Sequence, residues 1–182
     1  MTNEDVKNLD VFLTLKKDEI YLLLNISTIE NFNKNQIIHY ENDPINNVYF
    51  LLHGKVKAYK VDRFDNEVFL YSLKKPALVS TFFLTPANKY FANIECLEDA
   101  TILSTDINKL QELIKENPNI MMFFYNQLSE KTKIFQYLIN RETVFDGTSK
   151  VAYMLVNSLE EFNTLKKQEV AYMLNIQPET LS

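Results

Sequence analysis

The amino-acid sequence predicts an α+β protein with an N-terminal β-roll of jelly-roll type, one long helix and a C-terminal helix-turn-helix. Short runs of β-branched and aromatic residues follow Gln36 without an intervening helix, and helical spacing continues unbroken after Pro118. The last residues, LKKQEVAYMLNIQPETLS, have the pattern of two helices around a tight turn. We therefore predict a β-roll with flanking helices over residues 1–117, a long helix over 118–143 and a helix-turn-helix over 144–182.

The β-roll prediction rests on turn residues that separate short apolar runs. Residues 10–32 carry apolar side chains at helical intervals and predict one or two short amphipathic helices. Beyond Asn35 the pattern predicts roughly seven or eight short strands, as in a sandwich, jelly roll or barrel. Around Gly54, the runs YFLLH and KVKAYKV predict a β-hairpin with an apolar face inward and a lysine face in water. Glycine occurs only 2 times, so we expect asparagine in turns where glycine is usual.

The long helix carries two apolar rows. One follows the alternating four-and-three spacing of a coiled-coil seam and comprises Met121, Tyr125, Leu128, Thr132, Phe135 and Ile139. The other, which includes Ile120, Phe124, Ile134 and Leu138, is placed to face the strand domain. A helix that is apolar on two sides is suited to lie between its own domain and a second copy, so the pattern favours a homodimer. A core helix within a single chain is the alternative.

The segment Asp146-Gly147-Thr148 interrupts the helical pattern and marks the start of the C-terminal domain. Thr148 is suited to cap a helix that runs to about Leu159. We expect the hinge between two conformational states to lie here.

The final motif has the residues that a helix-turn-helix needs. Ala171 is small enough for a steep helix crossing, Asn175 tolerates the left-handed conformation of the turn, and Pro178 suits the first position of a second helix. Leu181 falls where that helix packs back onto the first. An ordinary helical hairpin without DNA is the alternative.

Composition, net charge and cysteine count limit the classes of protein to which this chain can belong. The 182 residues carry a net charge of −5, which argues mildly against nucleic acid, although the charge of the docking face decides. No run is long enough to span a bilayer and the N-terminus, MTNEDVKNLD, is acidic and polar, so we expect a cytoplasmic protein. The one cysteine, Cys96, excludes an internal disulfide and a cysteine-ligated zinc or iron–sulfur site within one chain.

In this order of parts the chain resembles the Crp-Fnr family of bacterial transcription regulators over essentially its whole length. The segment NVYFLLHGKVKAYKV resembles the family's hairpin with a glycine turn, and KKQEVAYMLNIQPETLS resembles its helix-turn-helix, here incomplete. KNQIIHYENDP is also similar, with Asn35 and Asn42 in place of glycines common in the family. The resemblance implies a homodimer in which a cyclic nucleotide-binding-like β-roll senses an effector. The long helix then reorients two DNA-binding domains of winged-helix type on a palindromic promoter site.

The resemblance also locates the effector region. Cyclic nucleotide binders of this family carry Gly-Glu for the ribose hydroxyl and, further on, Arg-Ser or Arg-Thr for the cyclic phosphate. The matching positions here, aligned through Ala92, are Val79-Ser80 and Tyr90-Phe91, so a buried phosphate would lack a compensating charge. We therefore expect no cyclic nucleotide. We also expect no iron–sulfur cluster, because the N-terminal cysteine cluster of another branch is missing.

The apolar and aromatic side chains of this region predict a pocket for an apolar or planar ligand. The predicted lining residues are Val79, Ser80, Phe82, Phe83, Tyr90 and Phe91. Branches of the family bind haem to sense nitric oxide or carbon monoxide, so haem is one candidate and the effector stays open. A haem iron needs an axial ligand, for which His39, His53 and Cys96 are candidates besides methionine. The alternative is that the aromatic residues are simply core and interface, and that the histidines are surface or hydrogen-bonded residues.

The resemblance places the second helix of the motif in the major groove. Glu179 matches the family's recognition glutamate, which accepts from a cytosine amino group. Candidates for phosphate contacts are Lys167, Gln168, Gln177 and Thr180. Pro178, which replaces a polar residue of many relatives, and Ser182 complete the set of candidate DNA-binding residues. The sequence ends at Ser182, before an arginine that reads guanine in the family. We expect specific DNA affinity to be weak or absent, and an anisotropy titration at low salt against a chain extended by the missing helix tests this.

Two other classes of protein compete with a regulator. A cupin-type metalloenzyme also uses a β-roll, but its metal needs several histidines and a carboxylate, and this chain has only His39 and His53. No Gly-rich phosphate loop or Ser-His-Asp order is present, so we predict no catalysis and no metal site. The third interpretation is a ligand-binding or partner-binding dimer without DNA function.

Overall fold

The computed structural model describes residues 5–6, 9–74, 76–80 and 89–181. Within them, a short 3₁₀ helix at Asp10–Phe12 and helix α1 at Lys17–Asn25 precede the strands. The strands are β1 Ser27–Phe32, β2 Ile37–His39, β3 Asn47–His53, β4 Val56–Val61, β5 Glu67–Leu73, β6 Ala77–Leu78, β7 Asn93–Cys96 and β8 Ala100–Asp106. The predicted α+β fold with a β-roll followed by a long helix is confirmed.

The remaining helices follow the last strand in the sequence. They are α2 Ile107–Glu116, α3 Pro118–Thr143, α4 Gly147–Asn157, α5 Leu159–Thr164, α6 Lys167–Leu174 and a final 3₁₀ helix Pro178–Leu181. The long helix α3 begins at the predicted proline, whose missing N–H costs nothing at a helix start.

The strands form two four-stranded sheets, with the orders β1-β8-β3-β6 and β2-β7-β4-β5. In the first sheet, β8 is central and pairs antiparallel with both β1 and β3. The N-terminal strand β1 corrects the sequence analysis, which placed residues 27–32 in a helical segment. Six consecutive residues of β1 pair with β8, and this pairing with a strand distant in sequence overrides the local helical spacing.

The segment around Gly54 also differs from the prediction. Strands β3 and β4 belong to different sheets, so the turn crosses between sheets and does not close a hairpin. Gly54 has φ 92, and a Cβ there would lie 2.3 Å from the carbonyl oxygen of Asp99, which only glycine tolerates. The predicted lysine face is wrong at Lys57, which is buried and pairs with Glu95 at 3.2 Å.

Asparagine and aspartate take the left-handed turn positions, as expected for a chain poor in glycine. The positive φ angles are 68 at Asn35, 67 at Asn42, 62 at Asp65 and 50 at Asn175. These residues tolerate that conformation because their short polar side chains bond locally.

Helix α4 begins two residues earlier than predicted, because its cap is Asp146 and not Thr148. Its cap is Asp146, whose carboxylate accepts a hydrogen bond from the Ser149 N–H at 2.7 Å, and Gly147 and Thr148 lie within the helix. This backbone hydrogen bond lowers the pKa of Asp146. The helix ends at Asn157 and α5 follows it, so the predicted continuation to about Leu159 is also corrected.

The chain forms two compact units, one from Met1–Ala58 with Ser72–Thr132 and one from Tyr59–Tyr71 with Lys133–Ser182. In the first unit, α1 and the start of α3 pack on the first sheet through Leu23, Phe50, Phe123 and their neighbours. In the second, Met154, Val170 and Leu174 form a smaller core. The predicted domain limits at 117 and 143 stay predictions.

Candidate effector region and candidate nucleic-acid interface

The predicted effector residues Val79 and Ser80 are buried against β3 in the first unit. The N–H of Val79 donates to the Tyr49 carbonyl at 2.8 Å, and the Ser80 hydroxyl accepts from the Tyr49 N–H at 2.9 Å. The position that holds a ribose-binding carboxylate in cyclic nucleotide binders is therefore a serine whose oxygen already bonds the backbone. Phe82 and Phe83 lie outside the described residues.

Tyr90 is buried, whereas its neighbour Phe91 is 36% exposed. The Tyr90 hydroxyl donates to the Asn47 carbonyl at 2.7 Å, and its ring stacks on His39 with centroids 3.6 Å apart. Tyr49 joins this group, with its ring centroid 5.7 Å from that of His39. Burial raises the pKa of Tyr90, so the phenol stays neutral and supplies no charge for a phosphate.

His39 is the buried imidazole of this region, at 8% exposed. Neither Nδ1 nor Nε2 has a hydrogen-bond partner among the described residues. Burial lowers the pKa of His39 to about 4, so the ring is neutral at physiological pH and keeps a lone pair on one nitrogen. Of the haem-ligand candidates, His39 therefore has the suitable protonation state and a buried setting.

The other two candidates differ from His39. His53 is exposed at the end of β3. Cys96 is fully buried, and burial together with the carboxylates of Glu95 and Asp99 raises the pKa of its thiol to about 11. A thiol held in this form is a poor metal ligand, because the thiolate is the form that binds.

Sequence analysis missed Lys131, a buried lysine of α3 beside the effector region. Its ammonium donates to the carbonyls of Leu78, at 2.8 Å, and Val79. Burial lowers the pKa of Lys131 to about 7. A signal was available, because Lys131 is seven residues from both Phe124 and Leu138 and so shares their inward row.

The six residues of the predicted dimer seam differ in their exposure to solvent. Tyr125 is 63% and Ile139 60% exposed, and Met121 and Thr132 are also exposed. Leu128 packs partly on the core of the first unit, and Phe135 meets Tyr71 edge-on at 6.0 Å. The residues of the other row, Ile120 and Phe124, are buried, as predicted.

The C-terminal motif has the predicted turn. Asn175 ends α6 in the left-handed conformation, with φ 50 and ψ 52, and Pro178 begins the following 3₁₀ helix. Val170, Ala171 and Leu174 are buried, and Leu181 packs against the core that they help to form. This brings the ends of both helices of the motif together around one turn.

Polar side chains of the motif point outward. The exposed candidates for DNA contacts are Lys167, Gln168, Gln177, Glu179 and Thr180, while Pro178 is half-buried. The Thr180 methyl lies next to Gly147, where an added Cβ would come within 2.7 Å of it. Lys167 also lines a cavity of about 290 Å³ with Phe162, Leu165, Val170 and Leu181. Ser182 lies outside the described residues.

In the part of the chain that the structure describes, no group of three or more histidine, cysteine, aspartate or glutamate side chains is placed to hold a metal ion. None of the described helices is both long and apolar enough to cross a membrane.

Comparison with known proteins finds one family match and similar curated proteins. Residues 29–117 match the sequence profile of the cyclic nucleotide-binding domain. The global nitrogen regulator of Nostoc sp. is 28% identical over 131 residues, which are 70% of this chain and 59% of that protein. The match thus spans less than two thirds of the regulator's length.

Solved structures share the fold. The c-di-GMP-responsive global regulator CLP of Xanthomonas campestris superposes with a TM-score of 0.75 at 16% identity, covering 90% of this chain and 87% of that one. The catabolite activator protein of Thermus thermophilus superposes with a TM-score of 0.62 at 20% identity, covering 94% and 82%. At these identities the likeness concerns the fold.

Proposed function

We propose that this chain is a dimeric, DNA-binding transcription regulator of the Crp-Fnr type without catalytic activity. The match of residues 29–117 to the cyclic nucleotide-binding domain and the similarity to a global nitrogen regulator support this proposal. One observation supports this most directly. Asn175 holds a left-handed turn between α6 and the last 3₁₀ helix, and Gln177, Glu179 and Thr180 follow it with exposed side chains. This is the local geometry with which a helix-turn-helix presents its recognition residues to the major groove.

DNA binding is tested by salt dependence. We expect the chain to bind a random duplex library at low salt and to lose affinity steeply as salt rises, because released counterions dominate such binding. Lys167→Gln removes about one phosphate contact per subunit, so the log–log slope should fall by about 0.9 per contact. The control is Lys115→Gln, an exposed lysine at the end of α2 in the first unit. No binding at low salt, or equal slopes for both variants, contradicts DNA binding through this face.

The dimer is proposed to form through the exposed side of α3. Tyr125 and Ile139 are large, apolar and more than half exposed, and they follow the coiled-coil spacing. Tyr125→Lys and Ile139→Lys place a charge in that seam and should convert a dimer into a monomer in sedimentation equilibrium. Val156→Lys, at an 83% exposed apolar position of α4, is the matched control. A monomeric parent chain, or a seam variant that stays dimeric, rejects this interface.

For the effector we propose an apolar or planar ligand of the β-roll. The support is that Ser80 and Tyr90 stand where a cyclic nucleotide needs charged partners and that the rings of Tyr49 and Tyr90 stack on His39. Haem is the candidate that gives the clearest spectrum, with His39 as its axial ligand. Added haem should give a shifted Soret band that His39→Leu abolishes and His53→Leu keeps. No shift in the parent chain removes haem.

The same experiments decide the alternative, a ligand- or partner-binding dimer without DNA function. A dimer in sedimentation that binds no duplex at low salt favours that alternative. A dimer that binds duplex with a steep salt dependence favours the regulator.

A further inference from the structure

A buried guanidinium bonds three parts of the second unit. Arg141, near the end of α3, is 2% exposed. Its Nη2 donates to the Phe69 carbonyl at 2.9 Å, its Nη1 to the Met173 carbonyl at 3.0 Å and its Nε to the Glu142 carboxylate at 2.6 Å. Phe69 belongs to β5, and Met173 lies in the last turn of α6. One side chain therefore joins strand β5, the end of the long helix and the last turn of α6 before the turn of the helix-turn-helix.

Further contacts join the same elements. Asn175 donates through Nδ2 to the Phe69 carbonyl at 2.9 Å and to Glu142 at 3.2 Å. The Tyr172 hydroxyl donates to Glu67 at 2.9 Å, and its ring meets that of Phe69 edge-on at 5.6 Å. We call Phe69, Arg141, Glu142, Met173 and Asn175 the Arg141 cluster.

The chemistry of arginine suits this place. Its planar fork offers several donors in fixed directions and keeps its charge throughout the physiological range. The Met173 carbonyl is among the last four of a helix, which a helix leaves without internal donors. A lysine donates from a single nitrogen on a flexible stem, whereas Nε, Nη1 and Nη2 of Arg141 each reach a different acceptor, so a lysine cannot reproduce this spread of donors.

Asn175, the last residue of the Arg141 cluster in the sequence, is followed closely by exposed residues that are proposed to contact DNA. Gln177, Glu179 and Thr180 follow Asn175 within five residues of chain and are exposed. Arg141 bonds the turn from which these residues continue. Arg141 therefore helps, together with Asn175 and Tyr172, to fix the turn relative to β5 and the end of α3.

We propose that Arg141 is a positioning residue for DNA recognition, because its bonds to Phe69 and Met173 hold the turn in the orientation in which the following residues meet a duplex. The proposal rests on the proposed function and adds to it the residue that sets the geometry. A turn held in place before binding lowers the ordering cost of complex formation. Arg141 thereby acts on DNA affinity without being a DNA contact.

Arg141→Lys is the test variant, because it keeps the charge and loses the fork. The control is Arg63→Lys, the same change at an exposed position between β4 and β5. We expect backbone hydrogen exchange in residues 170–176 to become about tenfold faster in Arg141→Lys, with exchange in β1, β3 and β8 unchanged. Duplex affinity at fixed low salt should fall about tenfold.

Unchanged exchange in residues 170–176 overturns the proposal. Faster exchange in Arg141→Lys also overturns the proposal if the duplex affinity of Arg141→Lys equals that of Arg63→Lys. If the parent chain binds no duplex, the proposed function falls and so does the role of Arg141 in DNA recognition. The exchange measurement then tests separately whether Arg141 holds the turn. If Arg141→Lys does not fold, Asn175→Gly removes another donor to the Phe69 carbonyl, keeps the turn conformation and is measured in the same way.

Discussion

The long helix buries two cations ten residues apart in sequence, one in each compact unit, and they solve the problem of burial differently. Lys131 in the first unit donates to two backbone carbonyls, and burial lowers its pKa to about 7. Arg141 in the second unit donates to two carbonyls and a carboxylate. Lysine can shed its proton near neutral pH and arginine cannot. The first unit therefore contains a cation whose charge depends on pH, and the second contains a fixed one.

The largest effect should follow removal of the fixed cation. Arg141→Met removes the side-chain donor to the Met173 carbonyl, one of two side-chain donors to the Phe69 carbonyl and the cation beside Glu142. We expect the free energy of unfolding to fall by roughly 3 kcal/mol at every pH. Urea unfolding followed by circular dichroism measures this, with Arg63→Met as the control. An equal unfolding midpoint for the two variants would show that the buried guanidinium contributes no more than an exposed one.

The titrating cation should give a pH-dependent effect. The pKa of Lys131 falls from an ordinary 10.5 to about 7, so the unfolded chain binds more protons than the folded chain between these values. Stability should rise by roughly 2 kcal/mol from pH 7 to 9, and Lys131→Met should remove this rise. The exposed Lys133→Met is the control on the same helix. A rise that persists in Lys131→Met assigns the pH dependence to another group.

His39 extends the comparison to acid pH. Burial lowers its pKa from 6.5 to about 4, so stability present above pH 6.5 should be lost as pH falls towards 4. His39→Phe keeps a stacking ring and should make the chain more resistant to acid by about 2 kcal/mol at pH 5. His53→Phe serves as the exposed control. Equal acid stability of parent and His39→Phe contradicts this account.

The smallest effect is expected at the turn that Arg141 supports. Asn175→Gly loses the amide bonds to Phe69 and Glu142 but relaxes the left-handed backbone, so the loss should stay below about 1 kcal/mol. Asn175→Ala loses the same bonds and strains the turn by about 1 kcal/mol more. Equal unfolding midpoints for the two variants would mean that the turn relaxes when the asparagine is lost.

Sequence patterns predicted the features that repeat locally. The spacing of α3, the start at Pro118 and the left-handed Asn175 depend on neighbouring residues and were found. Strand β1 was missed because its partner β8 lies far along the chain. The crossing at Gly54 was taken for a hairpin because a tight turn between two strands does not reveal which sheet each strand joins.

The two buried cations were missed for a different reason. Lys131 and Arg141 fall at heptad spacing from inward residues, Phe124 and Ile134 respectively, yet a charged residue in a surface helix is normally solvated. Apart from the Glu142 carboxylate, their acceptors are the backbone carbonyls of Phe69, Met173, Leu78 and Val79, which no side-chain pattern predicts. Heptad position together with charge is the signal that would find such residues.

The buried thiol of Cys96 makes the β-roll observable by itself. The chain has one cysteine, it lies on β7 in the first unit, and its pKa of about 11 leaves little thiolate at neutral pH. Iodoacetamide can then alkylate Cys96 only when that unit opens, so the rate of alkylation reports how often the β-roll opens. If hydrogen exchange of α6 is measured in the same sample, the two rates compare the opening of the first unit with the opening of the second.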